Sequence, residues 1–297
     1  TAAEIANPPS GAIITTTFTP RISQTPRVLF SGMSLFSQLS ASAAASAVGA
    51  FSLRAVNGTT AKAVQIKRQS DSATQDFYAD RLGNLLTTPV TGQTLSNWLG
   101  GSTGNVVTWY DQSGLGNHAT QTTAANQPII DLINKQIDFK PTAYFNLPNG
   151  TVPYGNSNYT MITRHNTINN TFACIVGSGT YGTTNAVNSL EWNSTTYYQY
   201  WWGNDVSGGT LVSKNIVSSR YDNTSGRTLY VNGTTVGSGV TTNRNSTNIQ
   251  NTIATDLRSN QGQGSNRYLN GELYYVFLFN TALSDADRQL VEALPIS

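Results

Sequence analysis

Thr228-Leu229-Tyr230-Val231-Asn232-Gly233-Thr234-Thr235-Val236 sets strand-forming residues on both sides of an Asn-Gly pair. Asn and Gly accept the positive φ that a two-residue hairpin turn requires, so the stretch predicts two antiparallel strands joined at 232–233. The same dipeptide recurs at Asn57-Gly58, Asn149-Gly150 and Asn270-Gly271, and at least three hairpins are expected from the four. Outward from them the chain keeps strand composition. Ala63-Val64-Gln65-Ile66-Lys67-Arg68 alternates in burial preference, Val106-Val107-Thr108-Trp109-Tyr110 is β-branched and aromatic, and Tyr274-Tyr275-Val276-Phe277-Leu278-Phe279 is an almost unbroken apolar run. A run of that kind is expected of a strand covered on both faces. Helix signals are few: an Ala/Ser-rich stretch from Ala41 to Ala47, and a capping pair, Ser284 with Asp287, ahead of Leu290, Val291 and Leu294 and stopped by Pro295.

The composition agrees with an all-β chain. Only 38% of the 297 residues are hydrophobic and 11% charged, the profile of many short strands joined by polar turns. The length suits one large sandwich over 28–297 preceded by an extension over 1–27. The net charge of +2 contains no basic run longer than Lys67-Arg68, which gives no footprint for nucleic acid. So thinly charged a surface repels copies of itself weakly. No apolar stretch approaches the roughly 20 residues of a membrane span. Cys174 is the one cysteine, so no intramolecular disulfide is available, and its strand-like surroundings read it as a small buried hydrophobe. His118 and His165 have no neighbouring Cys, Asp or Glu at metal spacing and read as solvated or turn-bonding, with no metal and no cofactor expected. The chain starts at Thr1 without Met, so either a targeting segment was removed or upstream residues are left out; the first fits an extracellular or surface-exposed setting.

Within the extension, Pro8-Pro9, Pro20 and Pro26 bracket a lone β-branched segment, Gly11 to Thr19. Alternation puts Ala12, Ile14, Thr16 and Phe18 on one face and Ile13 on the other. A lone strand needs a partner edge. It finds one on its own sandwich or on another copy; the second option makes it an assembly strand and, where the head-to-tail contact does not close, builds a filament or surface layer. Asn-x-Ser/Thr sequons occur at Asn57, Asn149, Asn158, Asn169, Asn193, Asn223, Asn232 and Asn245, candidate N-glycosylation acceptors in a secreting eukaryote. A chain this rich in Asn, Ser and Thr carries about seven by chance, so their number decides nothing.

Phe51-Ser52-Leu53-Arg54, Ile66-Lys67-Arg68-Gln69-Ser70-Asp71 and above all Thr108-Trp109-Tyr110-Asp111-Gln112-Ser113-Gly114-Leu115-Gly116-Asn117-His118-Ala119-Thr120-Gln121 resemble the catalytic domain of fungal arabinofuranosidase B. The stretch from Tyr230-Val231-Asn232-Gly233 through Leu269-Asn270-Gly271-Glu272-Leu273 to Asn280-Thr281-Ala282-Leu283-Ser284-Asp285 is similar to the end of a laminin-G-like, concanavalin A-type jelly roll. The two resemblances span about residues 45–294 and imply a sandwich of two curved antiparallel sheets with short helices, of a kind found in carbohydrate-active and surface proteins. The arm also resembles that of extracellular filament subunits that exchange an N-terminal strand.

A retaining glycosidase needs two carboxyl groups about 5–5.5 Å apart. In the resembled family the nucleophile is a Glu on a mid-domain strand and the acid an Asp in a Gly-rich segment before the last strands. The corresponding region here, Tyr200-Trp201-Trp202-Gly203-Asn204-Asp205-Val206-Ser207-Gly208, holds no Glu, which leaves Asp205 or Glu191 as substitutes. Asp256 lies near the acid position without the flanking Gly-Gly, and the family's adjacent cysteine pair is missing. The expectation is therefore a chain without catalytic residues, not an enzyme: an extracellular structural subunit that assembles with copies of itself through Ala12, Ile13, Ile14, Thr16 and Phe18. The alternative is a carbohydrate-binding or arabinofuranosidase-like glycan-recognising domain using Asp111, Tyr198, Tyr200, Trp201 and Trp202. Asp111 also suits a plain turn, its carboxylate bonding backbone N–H groups of the residues that follow. The aromatic residues also suit packing, with Tyr198, Tyr200 and Trp202 on one face and Tyr197 and Trp201 on the other.

Overall fold

The Asn232-Gly233 pair turns the chain with φ of +50° and +79° and joins Gly226–Val231 to Thr234–Gly239 in an antiparallel hairpin. The computed structural model describes residues 33–168, 171–210, 212 and 215–295; the arm residues Ala12, Ile13, Ile14, Thr16 and Phe18 and the sequon at Asn169 lie outside them. From the hairpin a first antiparallel sheet extends through Asn215–Asp222 and Tyr159–Ile168 to Gly271–Phe279. Ala47–Ser52 and Gln136–Phe139 share its far edge. The second sheet runs from Thr74–Asp80 through Thr60–Arg68 and Gly104–Trp109, then the short Ala119–Thr120, Phe145–Asn146 and Thr252–Ile253 segments. It ends in Phe172–Gly179, Val187–Asn193, Thr196–Tyr200 and Val206–Gly208. The chain is an all-β sandwich of the jelly-roll class.

The main core lies between the sheets, with Trp109, Phe145, Trp192 and Tyr197 of the second meeting Val217, Leu229, Val276 and Leu278 of the first. A second core covers the outer face of the first sheet. There Leu290, Val291 and Leu294 join Leu35, Phe36 and Leu39 over Tyr275, Phe277 and Phe279. Gly271–Phe279 thus faces apolar groups on both sides, as its run of residues predicts. A register shift at Tyr274, opposite Arg164 and His165, puts Leu273 on the same core as Val276 and Leu278.

The helices sit where their caps place them. Ser40 Oγ accepts from Ala43 N at 3.2 Å to start Ala41–Ala45, and Ser284 Oγ accepts from Asp287 N at 3.1 Å to start Asp285–Glu292. The Asp287 carboxylate also accepts from Ser40 N and Oγ, at 2.8 and 2.9 Å, and so ties the two helix starts together. Among the described residues no helix is long and apolar enough to cross a membrane.

The hairpin expectation needs correction. Of the four Asn-Gly pairs only Asn232-Gly233 joins strands that pair with each other; Asn57-Gly58 and Asn149-Gly150 turn within longer connections, and Asn270-Gly271 opens the last strand. Tight turns form instead at Ser72, Lys135 and Ser194, which take φ of +60°, +52° and +48°. Two of these turns are organised by side chains: Asp71 accepts from Ala73 N at 3.1 Å, and Asp131 accepts from Ile133 N at 2.9 Å. An Asp that bonds the backbone two residues on supports a turn as well as Asn-Gly does.

Candidate functional site

Three neighbouring strands of the second sheet carry the site on their outer face. Register aligns Phe172 with Asn193 and Thr196, Cys174 with Glu191 and Tyr198, and Gly177 with Ser189 and Tyr200. The alternate residues Ala173, Leu190, Trp192 and Tyr197 fill the core. A β-bulge at Ile175 lets Ile175 and Val176 both reach that core while Cys174 and Gly177 stay in line outside. Gly177 is required here, because a Cβ on it would lie 2.3 Å from Ser189 Cβ. That clearance lets Ser189 Oγ donate to Glu191 Oε1 at 2.8 Å.

A loop brings a second carboxyl onto this face. Ala254 and Leu257 flank Asp256 with φ of +71° and +48°, and Trp202, which faces the loop, has φ +67°. Each such conformation in a bulky residue costs about 1–3 kcal/mol, and strain of this kind gathers at functional sites. Asp256 Oδ1 accepts from Arg267 N at 3.0 Å and Arg258 N at 3.3 Å, and its other oxygen is paired with Arg258 Nε. Arg258 Nη2 lies 3.4 Å from Glu191 Oε1, and Arg267 Nη1 lies 2.5 Å from Glu191 Oε2. The two carboxyls are thus members of one buried network, bridged by Arg258.

Rings enclose it. The Arg258 guanidinium sits 4.9 Å from the Tyr181 ring centre, 5.7 Å from Tyr200 and 5.6 Å from Trp202, while Arg267 lies 4.9 Å from Phe172 and 5.5 Å from Tyr200. Phe172 is exposed, and Tyr198, Tyr200 and Trp202 are half-buried, so the rings are accessible while Glu191, Asp256 and Arg258 lie buried beside them. Burial pushes the Glu191 carboxyl up to about 7 against the pull of Arg267 and Arg258. Burial also works against the charge on Arg258, but Glu191 and Asp256 overcome it and leave that pKa above the ordinary arginine value. Burial raises the Cys174 thiol and the Tyr181 phenol as well.

Several expectations from sequence change at this point. Trp201, a candidate sugar-binding ring, is fully buried: it packs at right angles to Tyr221 and lies under the Arg227 guanidinium, 3.8 Å from the ring centre. No sugar reaches it. Asp111 is likewise buried, and its carboxylate accepts from Ala50 N, Ser113 N, Ser113 Oγ and Asn117 N at 2.6–3.0 Å, so it organises a turn. His165 is not solvated: it is completely buried, with Nε2 2.7 Å from Tyr197 Oη, and burial lowers its pKa to about 3. His118 does bond a turn, its Nδ1 accepting from Asp111 N at 3.2 Å. Asp205 is exposed and accepts from Trp201 N at 2.8 Å, at the rim of the site. Of the sequons, Asn57, Asn149, Asn223, Asn232 and Asn245 are exposed and Asn158 and Asn193 half-buried; the Asn232 amide is already committed to Ile216 N and Asn215. Arg258, Arg267, Tyr181 and Phe172 were not singled out from sequence, since only the folded loop gathers them.

No family model matches the chain, and no curated protein matches it either. Solved structures do. An arabinofuranosidase complexed with arabinofuranosyl-α-1,2-xylobiose is similar to it with a TM-score of 0.63 at 15% identity, over 84% of this chain and 62% of that one. A GH54 α-L-arabinofuranosidase soaked with a cyclic sulfate inhibitor gives a TM-score of 0.61 with the same identity and coverage. A sialidase of Trypanosoma rangeli in complex with the inhibitor DANA is more distant, with a TM-score of 0.46 at 13% identity, over 63% of this chain and 30% of that one. The chain spans 62% of the length of the arabinofuranosidases it matches. These likenesses establish the sandwich fold. The expectation that the chain is not an enzyme is corrected to this extent: the arabinofuranosidases that share its fold are glycoside hydrolases. Glu191 and Asp256, the carboxyls that the sequence offers near the family's positions, are joined in one network through Arg258.

Proposed function

We propose that the chain recognises a glycan on the outer face of its second sheet, with Phe172, Tyr198, Tyr200 and Trp202 as the ring surface and Arg267, anchored on the buried Glu191, as the polar floor. The observation that carries this reading is the accessible ring group around an otherwise buried carboxyl–guanidinium network. Flat rings cover the apolar C–H face of a sugar, and N–H and O–H groups at their edges bond its hydroxyls. Arg267 is suited to the second task, since its side chain keeps 22% exposure while its Nη1 is anchored on Glu191. The opposing charges of the network offset one another, which favours a neutral sugar. The likeness in fold to arabinofuranosidases, one of them complexed with arabinofuranosyl-α-1,2-xylobiose, supports an arabinose-bearing glycan.

A hydrolytic role would draw on Glu191 and Asp256, which are buried and ion-paired with Arg258 and Arg267. An extracellular or surface setting, where glycans are displayed, belongs to the same proposal, as does a sandwich domain beginning near residue 28. Self-assembly through residues 11–19 draws no support from the solved structures of this fold, and glycan recognition takes its place. A glycan array probed with the wild type and with a Tyr200→Ala/Trp202→Ala variant tests the reading, with sugar release from arabinan measured in parallel. Binding that the variant loses supports it; binding unchanged in the variant sinks it.

A further inference from the structure

A second concave surface lies elsewhere on the same sheet, built from the stretch that carries the strongest sequence resemblance. A cleft of about 290 Å³ opens between Tyr110, His118, Lys62 and Asn57, and Ala61, Asp111, Gln112 and Gly114 complete its lining. The Tyr110 and His118 rings meet at 85° with centres 4.9 Å apart and form a corner. Lys62 Nζ lies 4.5 Å from the Tyr110 ring centre and 2.7 Å from Asp76 Oδ2. Tyr110 Oη donates to Asp76 Oδ1 at 2.6 Å, and Gln65 Nε2 donates to the same oxygen at 3.1 Å. The Tyr110 ring and the ammonium are therefore held before any ligand arrives.

These lining side chains keep hydrogen-bonding capacity for a ligand. His118 Nδ1 accepts from Asp111 N, so in the neutral ring the proton sits on Nε2, a donor. Lys62 gives one proton to Asp76 and also interacts with the Tyr110 hydroxyl, which leaves it a remaining donor. Asn57 donates its amide to Gln112 O at 3.3 Å and keeps its carbonyl oxygen as an acceptor. Asp76 answers the charge of Lys62, so the corner carries no net charge from this pair and favours a neutral ligand over an anion. An apolar corner of two rings edged by two donors and an acceptor suits a sugar ring, whose hydroxyls radiate from a C–H face.

We propose that this cleft is a second binding site for a neutral sugar residue, separate from the Glu191 face. The proposal rests on the glycan-recognising reading of the chain. The two sites are separated within the sheet by Ala119–Thr120, Phe145–Asn146 and Thr252–Ile253. A sugar in one does not touch the residues of the other, and together they give a polysaccharide two points of attachment.

The chain has only two histidines, one in this cleft and one fully buried, which makes imidazole NMR a direct test. Titrating a neutral arabinoxylan oligosaccharide into the ¹⁵N-labelled protein should shift the His118 ring signals saturably and leave those of His165 in place. The shift should persist in Tyr200→Ala/Trp202→Ala and need about tenfold more ligand in Lys62→Ala, the effect of one hydrogen bond to a charged group. A static His118 signal while calorimetry still records binding to the wild type overturns the second site and leaves the first standing. Binding confined to His118 and unaffected by the ring variant does the reverse. No binding by either method removes both.

Discussion

Arg267 Nη1 stands 2.5 Å from Glu191 Oε2, and the pair joins the floor of the ring-lined face to its surface, with side-chain exposures of 22% and 1%. Arg258 is the inner counterpart, fully enclosed and shared between Glu191 and Asp256. Removing one partner of a buried ion pair strands the other's charge, at a cost of about 3–5 kcal/mol. Arg258→Ala is therefore expected to be strongly destabilising. Arg267→Ala should cost less, because water reaches the vacated position. Urea unfolding of the two variants checks the order, and equal losses would contradict the division into inner and outer arginine.

Trp201 and Trp202 are adjacent and should respond in opposite ways. Trp201→Ala empties a fully buried position between Tyr221 and Arg227 and should cost about 3–5 kcal/mol of stability. Trp202→Ala removes a half-buried ring from the site mouth and should weaken glycan binding by about 1 kcal/mol or more, with a smaller effect on unfolding. Thermal melts and glycan titrations on the two single variants separate the roles. A Trp202 variant that melts as early as the Trp201 variant would count against the assignment.

Gly177 tests whether the Ser189–Glu191 geometry depends on a missing side chain. Gly177→Ala places its Cβ against Ser189 and should destabilise by about 1–3 kcal/mol through overpacking. Adding Ser189→Gly removes the atom that is struck and should recover most of the loss. Adding Ser189→Ala keeps that atom and should recover none. A double-mutant cycle by chemical denaturation reads both couplings, and equal behaviour of the two doubles would refute the clash.

The period-2 pattern at 197–200 correctly separates inward Tyr197 from outward Tyr198 and Tyr200, because a strand admits only two faces; Trp201 and Trp202 lie past the strand's end, where the left-handed Trp202 turns the chain. The apolar run at 274–279 announces a strand buried on both sides for the same reason. Ser284 with Asp287 reveals its helix because capping is local chemistry. The meeting of Glu191 with Asp256 was not legible. It depends on a bulge at Ile175 and on left-handed Ala254 and Leu257, and no glycine marks either loop position in the sequence. Arg258 and Arg267 join the site only through that loop, so their role belongs to tertiary structure. The Asn-Gly pairs misled for a related reason: the dipeptide permits a positive φ, but the pairing of flanking strands decides whether a hairpin forms.

Two buried groups should titrate against each other and hide each other's effect on stability. His165 holds its proton poorly in the folded chain, with a pKa of about 3 against an ordinary 6.5, because burial disfavours the charged ring. Between those values the unfolded chain binds the extra proton, so stability from this group is lost as pH falls. Glu191 behaves in the opposite sense: burial raises its pKa from 4.5 to about 7, so the folded chain binds the extra proton between those values. Its contribution is present at low pH and lost as pH rises through the window. From about pH 4.5 to 6.5 the two slopes oppose, each limited to roughly 1.4 kcal/mol per pH unit, and the wild type should be nearly flat from these groups. Glu191→Gln should unmask the histidine and gain stability with rising pH; His165→Gln should unmask the carboxyl and lose it. Denaturant unfolding of both variants across that range measures the signs, and parallel curves for the two would show that at least one of these groups does not titrate from a buried position.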